Sequence, residues 1–388
     1  MATNPRVPFE ELDRRAAPDT RGPAMTKLKQ LYEDHGQSPW LDDLTRGYLT
    51  GGGLRRLVDD GIRGVTSNPT IFQRAIAGSA DYDRQLRELA IGAGSAEDAY
   101  WSLIIQDIQA ALDVLRPVHD QSGGRDGFVS VELAPGLAHD TAGSITAARA
   151  LHARIAAPNL FVKIPATPEG VPAVHRLIRE GRSINITLIF GLGRYDEIIE
   201  AYLSALESRP GDLSPIHSVA SFFVSRVDTE VDGRLEAIGT PEALALRGTA
   251  AVAQAKLAYE LFRRRFSGPR WQALAARGAH LQRPLWASTS TKNPAYPDTM
   301  YVDNLIGRDT VNTMPESTIT AFEAHGTLAG TVERDVEAAH VNLERLATVG
   351  IDLDDVSRKL EDQGVAAFAK SFHELLDALT TRTAELTA

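Results

Sequence analysis

Eight short apolar or β-branched runs, 38–44, 64–69, 128–133, 160–166, 183–190, 217–223, 283–289 and 310–315, predict an α/β chain, because segments of helical period separate most of them. Eightfold repetition of that alternation predicts closure into one (β/α)8 TIM barrel with additional C-terminal helices. A doubly wound open sheet shares the alternation but not the count. A third observation agrees: polar residues end most of the runs, and barrels carry their sites at the carboxyl ends of their strands.

Residues 1–24 mix Pro, Arg, Asp and Thr with no apolar period and read as a flexible N-terminal extension. Met25-Thr26-Lys27-Leu28 is the more natural helix start. After the first run, Gly51-Gly52-Gly53 forms a junction into a helix from Gly53 to Asp60. A helix from Asp98 to Leu115 and the turn-rich connector 120–127 lead into the third run. That connector precedes a strand and opens no helix, so it is no phosphate cradle. Helices Ile145 to Ala156, Val171 to Glu180 and Tyr195 to Glu207 join the third run to the sixth, and Pro241 to Phe266 follows the sixth. Beyond the eighth run, Ser317 to Phe322, Val332 to Ala347 and Val356 to Ala378 have helical spacing. In the last, Phe368, Phe372, Leu375, Leu376 and Leu379 share one face, which either docks on the barrel or closes over its mouth as a lid. No linker divides the chain, so 25–388 is expected to be one barrel domain, with a helical extension from about 350.

A hydrophobic content of 43% over 388 residues is ample for a large core. The formal charge of −10 argues against nucleic acid and against an anionic membrane surface as partners, since both are bound by clustered Lys and Arg. A phosphorylated substrate would need a local basic pocket. The chain has no cysteine, which removes disulfides and thiolate metal sites, and its ten histidines form no His-x-x-x-His or other compact ligand pattern. No metal is expected. No apolar run approaches the roughly 18 residues that span a bilayer, and the N-terminus lacks a signal-peptide pattern. A cytoplasmic protein is expected.

The run Asn159-Leu160-Phe161-Val162-Lys163-Ile164-Pro165-Ala166 places one lysine among apolar neighbours. Desolvation disfavours the ammonium form, and a neutral amine can attack a carbonyl to form a Schiff base; the bland alternative is a strand-end lysine that snorkels into water. Around it, Asp42, Asn68 and Glu132 end the first three strands, Asn185 and Thr187 lie on the fifth, Ser221 and Arg226 on or after the sixth, and Ser288 with Lys292 at the seventh. Alternation puts Asn185, Thr187 and Ile189 on one face of the fifth strand, so two polar groups point into the barrel together. His217, at the start of the sixth run, reads as a hydrogen-bonded structural residue.

The segment Gly64-Val65-Thr66-Ser67-Asn68-Pro69-Thr70-Ile71-Phe72 and the Lys163 run resemble the two signature motifs of transaldolases. Further matches follow in the family's order: Trp40-Leu41-Asp42-Asp43-Leu44, Ile184-Asn185-Ile186-Thr187-Leu188, Ala220-Ser221-Phe222-Phe223-Val224-Ser225-Arg226 and Leu285-Trp286-Ala287-Ser288-Thr289. The resemblance covers nearly the whole chain. It implies a cofactor-free enzyme that passes a dihydroxyacetone unit among sedoheptulose 7-phosphate, glyceraldehyde 3-phosphate, erythrose 4-phosphate and fructose 6-phosphate, in the pentose phosphate pathway. Its partners would be these small sugar phosphates, and it would be a monomer or homodimer.

By the same resemblance, Lys163 forms the Schiff base, Asp42 moves the hydroxyl proton, and Glu132 with Thr187 holds the water of Schiff-base formation and hydrolysis. Asn68, Asn185 and Ser221 match contacts to the three-carbon unit, and Arg226, Ser288 and Lys292 match the phosphate region. Two departures stand out. Lys292 replaces the usual arginine with a shifted register, and Leu133-Ala134-Pro135-Gly136-Leu137 lacks the Asp and Arg that commonly follow the glutamate. Relatives that act as fructose-6-phosphate aldolases tend to carry Gln at the Glu132 position and Tyr at that of Phe223, so this chain has the transaldolase choice at both. The alternatives are such an aldolase or, in another class, a sugar-phosphate-binding barrel without turnover.

Overall fold

The computed structural model describes residues 25–90 and 94–387; the predicted extension, 1–24, lies outside them. Eight strands form a closed barrel in chain order: β1 Gln37–Leu41, β2 Gly64–Val65, β3 Phe128–Glu132, β4 Leu160–Pro165, β5 Ile184–Ile189, β6 Ser218–Phe223, β7 Gln282–Ala287 and β8 Thr310–Met314. Each pairs in parallel with the next, and β8 returns to β1 through a register from Gln37↔Thr310 to Leu41↔Met314. Every predicted run overlaps one of these strands, with β1 and β7 starting one residue earlier than expected. Covered by helices outside and filled within, they are almost wholly buried, which explains why they read as near-continuous apolar runs. One apolar core runs from Leu28 to Leu379.

β2 is short for local reasons. Gly64 lies under the Trp40 ring, which would overlap any Cβ there. Three residues beyond β2, Asn68 caps a helix that Pro69 opens: Asn68 Oδ1 accepts from Ile71 N at 3.0 Å, and proline at the first position costs no helical hydrogen bond.

β5 departs from the predicted alternation. Its pairing with β6 runs from Ile184↔Ser218 to Ile186↔Ala220 and resumes at Ile189↔Phe222, so Thr187 and Leu188 oppose Ser221 alone. Leu188 takes a φ of 60°, a left-handed conformation rare for a bulky residue. The bulge breaks the face expected to hold Asn185, Thr187 and Ile189 together. Leu188 instead meets the C-terminal helix at Gly364, where an added Cβ would come within 2.8 Å of Leu188 Cδ2.

The helix predicted from Pro241 to Phe266 divides into Pro241–Leu244 and Ala250–Arg265, because Gly248 turns the chain at a φ of 70° and donates its N–H to Asp232 Oδ1 at 2.8 Å. The helix predicted over Asp98–Leu115 spans Ala96–Gln121, opened by a reciprocal cap between Ser95 and Asp98. The last helix is one element, Leu353–Thr387. Val356, Leu360, Gly364, Phe368 and Phe372 recur every four residues on its buried side, followed by Leu375 and Leu379, while Leu376 lies at the edge. Polar ties hold it to both sides of the barrel: Thr70 to Ser371 at 2.8 Å, Arg382 to Asp83 at 2.6 Å, and Lys359 to Glu230 at 2.7 Å.

Candidate active site

Lys163 sits in register between Glu132 on β3 and Asn185 on β5. The strand directs its side chain into the barrel, where it is 4% exposed. It does not snorkel to water. Its Nζ faces Glu132 Oε2 at 3.2 Å, donates to the carbonyl of Ser67 at 3.4 Å and lies 5.9 Å from the centre of the Phe368 ring. Burial pushes the Glu132 carboxyl above its ordinary range, and the lysine charge opposes that rise.

Asp42, half-buried just beyond β1, accepts from Thr66 Oγ1 at 2.7 Å, and Thr66 is tied in turn to Thr313 Oγ1 at 2.6 Å. Burial raises its pKa as well, against Lys163, the Thr66 hydrogen bond, Lys292 and Arg226. Two carboxyl groups with a heightened hold on a proton therefore flank one amine. Two buried side-chain oxygens, Glu132 Oε2 and Thr187 Oγ1, complete no hydrogen bond among the described residues, although Glu132 Oε2 has the lysine at ion-pair distance. Buried polar atoms without partners are places for a water or a ligand hydroxyl.

A cavity of about 240 Å³ opens above the lysine. Predicted residues Asp42, Asn68, Lys163, Ser221, Phe223, Arg226, Ser288 and Lys292 all line it. Asn185 and Thr187 do not, and Glu132 faces an adjoining apolar cleft with Leu188, Val365 and Phe368. Asn185 is fully buried beneath, donating to Ser130 Oγ at 3.0 Å and accepting from Ser221 Oγ at 2.7 Å. Asn68 spends its carbonyl oxygen on the helix cap, while its amide nitrogen makes no hydrogen bond among the described residues.

The outer part of the cavity is cationic. Arg226 lies over the Phe223 ring at 5.3 Å and forms neither a hydrogen bond nor an ion pair among the described residues. Burial lowers its pKa against the pull of Asp42 and Glu132, and burial with Arg226 lowers that of Lys292. Lys292 Nζ donates to Ser290 Oγ at 2.6 Å. Ser288 has a φ of 58° and exchanges a 2.9 Å hydroxyl bond with Ser225; backbone strain of this kind gathers at functional sites. Four basic side chains, Arg74, Lys163, Arg226 and Lys292, line the cavity against one carboxylate, Asp42, in a chain of charge −10.

Sequence reasoning missed Arg74 and Thr66. Helical spacing held a signal for the first: Thr70 and Arg74 are four apart, follow the Asn68 cap, and both line the cavity. The apolar stretch after Glu132 also has its explanation. Ala134, Pro135 and Leu137 form the cleft wall next to Val365 and Phe368, where charged groups would be desolvated.

A larger cleft of about 480 Å³ lies toward the opposite end of the barrel, among Phe128, His217, Ser218 and Arg283 at the starts of the strands, and Lys163 does not line it. His217 stacks there on His280 with ring centres 4.2 Å apart, its backbone N–H donates to Ser183 Oγ at 3.1 Å, and burial lowers its pKa to about 3. Among the described residues no group of three or more His, Cys, Asp or Glu is placed to hold a metal ion.

The family model described as Transaldolase/Fructose-6-phosphate aldolase matches residues 39–379. The chain is 51% identical over 349 residues to the transaldolase of Frankia alni, covering 89% of this chain and 94% of that protein. It is 52% identical over 350 residues to the transaldolase of Acidothermus cellulolyticus, with the same coverage of each. Against the transaldolase of Thermobifida fusca, identity is 50% over 362 residues, covering 92% of this chain and 98% of that protein.

Proposed function

The chain belongs to the transaldolase/fructose-6-phosphate aldolase family and is an enzyme of the transaldolase kind, and we propose that Lys163 carries its dihydroxyacetone unit as a Schiff base. The observation that carries this reading is a single enclosed one: an amine 4% exposed, 3.2 Å from a carboxylate, at the floor of a cavity with a cationic rim.

Glu132 accepts a proton from the Lys163 ammonium, and the freed amine adds to the ketose carbonyl. Loss of water leaves the protonated Schiff base. Asp42 removes the proton of the hydroxyl on the far carbon of the bond to be broken; that carbon becomes the carbonyl of the departing aldose phosphate, and the bonding pair moves onto the iminium to give an enamine. The enamine adds to the incoming aldose phosphate, Asp42 returns the proton to the new alkoxide, and water hydrolyses the Schiff base. The raised pKa of each carboxyl brings it closer to the pH at which it must exchange protons. Glu132 Oε2 and Thr187 Oγ1 would bind the water.

Ser221 and Asn68 would bind hydroxyls of the three-carbon unit, with Asn185 holding Ser221. Arg226, Lys292 and Ser288 would take the phosphate, for which charge-assisted hydrogen bonds are strong. The donors and acceptors in this reading are sedoheptulose 7-phosphate, fructose 6-phosphate, glyceraldehyde 3-phosphate and erythrose 4-phosphate, and the setting is the pentose phosphate pathway in the cytoplasm, with the enzyme a monomer or homodimer. Residues 25–388 act in it as one domain. Borohydride reduction in the presence of fructose 6-phosphate, followed by peptide mass spectrometry, should find the adduct on Lys163. An adduct elsewhere, or activity retained by Lys163→Met, would overturn the assignment.

A further inference from the structure

The four-residue ladder of the C-terminal helix places Gly364 and Phe368 one turn apart on the same buried side. Gly364 has no Cβ to hold the helix away from Leu188, which the β5 bulge turns out to meet it. One turn later Phe368, 5% exposed, lies against both the catalytic cavity and the apolar cleft beside Glu132, with its ring centre 5.9 Å from Lys163 Nζ. The helix that carries the ring is anchored on both sides of it. Ser357 Oγ donates to the carbonyl of Phe190 at 3.0 Å before it, Ser371 meets Thr70 at 2.8 Å after it, and Phe372 packs edge-on against Tyr100 at 5.0 Å.

From this arrangement we propose that Phe368 is a specificity-determining residue: it keeps water from the three-carbon intermediate on Lys163, so that the intermediate waits for an aldose acceptor instead of being released. The inference rests on the Schiff-base reading above. Release competes with transfer by a defined route. The enamine carbon takes a proton, water adds to the resulting iminium carbon, and the carbon–nitrogen bond breaks as the carbonyl re-forms, so iminium and water become dihydroxyacetone and the lysine ammonium. Transfer needs no water until the new carbon–carbon bond exists. An apolar ring over the nitrogen withholds water from the first route at the three-carbon stage and touches the second only at its final hydrolysis, after the new carbon–carbon bond has formed, which is a differential effect of excluding solvent. The neighbouring wall of Ala134, Leu188 and Val365 continues the same dry surface.

The test measures two rates in one preparation: dihydroxyacetone released from fructose 6-phosphate without acceptor, and transfer with erythrose 4-phosphate. In Phe368→Ala the ratio of release to transfer should rise severalfold while borohydride still traps the adduct on Lys163. Phe368→Leu, which keeps apolar bulk, should stay close to the parent ratio and supplies the comparison if the alanine variant folds poorly; Phe368→Val should then lie between parent and alanine. Solvent deuterium entering the released dihydroxyacetone should rise with the ratio. An unchanged ratio in a folded Phe368→Ala, or in Phe368→Val where alanine does not fold, overturns the proposal. Failure to trap any adduct in the parent enzyme overturns the Schiff-base reading instead.

Discussion

Ser221 and Asn185 are joined across β6 and β5 by a 2.7 Å hydrogen bond from the serine hydroxyl to the side-chain carbonyl of the asparagine. Asn185 donates in turn to Ser130, so its amide is occupied on both sides and only Ser221 reaches the cavity. The asparagine therefore positions the serine that the substrate would meet.

Asn185→Ala should then raise the KM for the ketose donor and lower the melting temperature, because it strands two buried hydroxyls, each costing about 1–3 kcal/mol. Ser221→Ala should raise KM with a smaller loss of stability. Steady-state kinetics and thermal denaturation on both variants check the order; equal stability losses would place the two residues in one structural role.

Asp42→Asn should slow carbon–carbon cleavage by roughly 10² to 10⁴, the usual contribution of a positioned acid–base group, while the Schiff base still forms. Borohydride should trap uncleaved donor. Asp42 must be ionised to accept a proton, and its pKa stands above the ordinary 3.8, so parent activity should fall on an acid limb centred above that value as pH drops. Loss of trapping in Asp42→Asn, with Glu132→Gln still forming the Schiff base fast, would exchange the roles of the two carboxyls.

Arg226→Gln should weaken phosphorylated substrates through KM, by the roughly 1.5–3 kcal/mol that a hydrogen bond to a charged group contributes. Arg74 is exposed, so Arg74→Ala should cost less and its effect should fade with added salt. Competitive inhibition by inorganic phosphate offers a direct reading. Equal inhibition constants in parent and Arg226→Gln would remove Arg226 from the phosphate site.

Asp228 lies buried outside the catalytic cavity, accepting from Ala251 N and Tyr301 Oη at 2.8 Å each, and burial pushes its pKa from 3.8 to about 6. A carboxyl whose folded pKa is raised stabilises the fold below its unfolded pKa, and that contribution is lost as pH rises through the folded value. The ionised cost above pH 6 is about 3 kcal/mol at 1.36 kcal/mol per unit. Asp228→Asn keeps the acceptor for Ala251 and can donate to Tyr301, so its melting temperature should gain on the parent between pH 4 and pH 7. A gain that shrinks over that range would contradict the assignment.

The barrel was legible because its strands are buried on both faces and so stand out as apolar runs, and because Lys163 interrupts one of them. The polar residues that end strands, Asp42, Glu132, Ser221 and Ser288, were legible for the same reason. The β5 bulge was not, since nothing in Ile184-Asn185-Ile186-Thr187-Leu188 announces a left-handed leucine; the C-terminal helix that receives it lies far away in the chain. Arg74 escaped because an exposed arginine on a helix is usually solvated, and only the fold reveals which turn faces the cavity. Phe368 appeared in the sequence as one of a docking face, without the information that the face ends over a lysine.

The seam between β1 and β8 has a kinetic consequence. Five residue pairs, from Gln37↔Thr310 to Leu41↔Met314, join segments separated by most of the chain, and the last helix straps the helices that follow β2 through Thr70–Ser371 and Asp83–Arg382. Loop-closure entropy grows only slowly with length, so such distant pairing is thermodynamically tolerable, but contacts of high sequence separation are slow to find. Refolding should therefore show early formation of the β3–β6 sector and a late step in which the seam and the strap close together. The site would stay unfinished until that step, since Asp42 and Phe368 arrive from opposite ends of the chain.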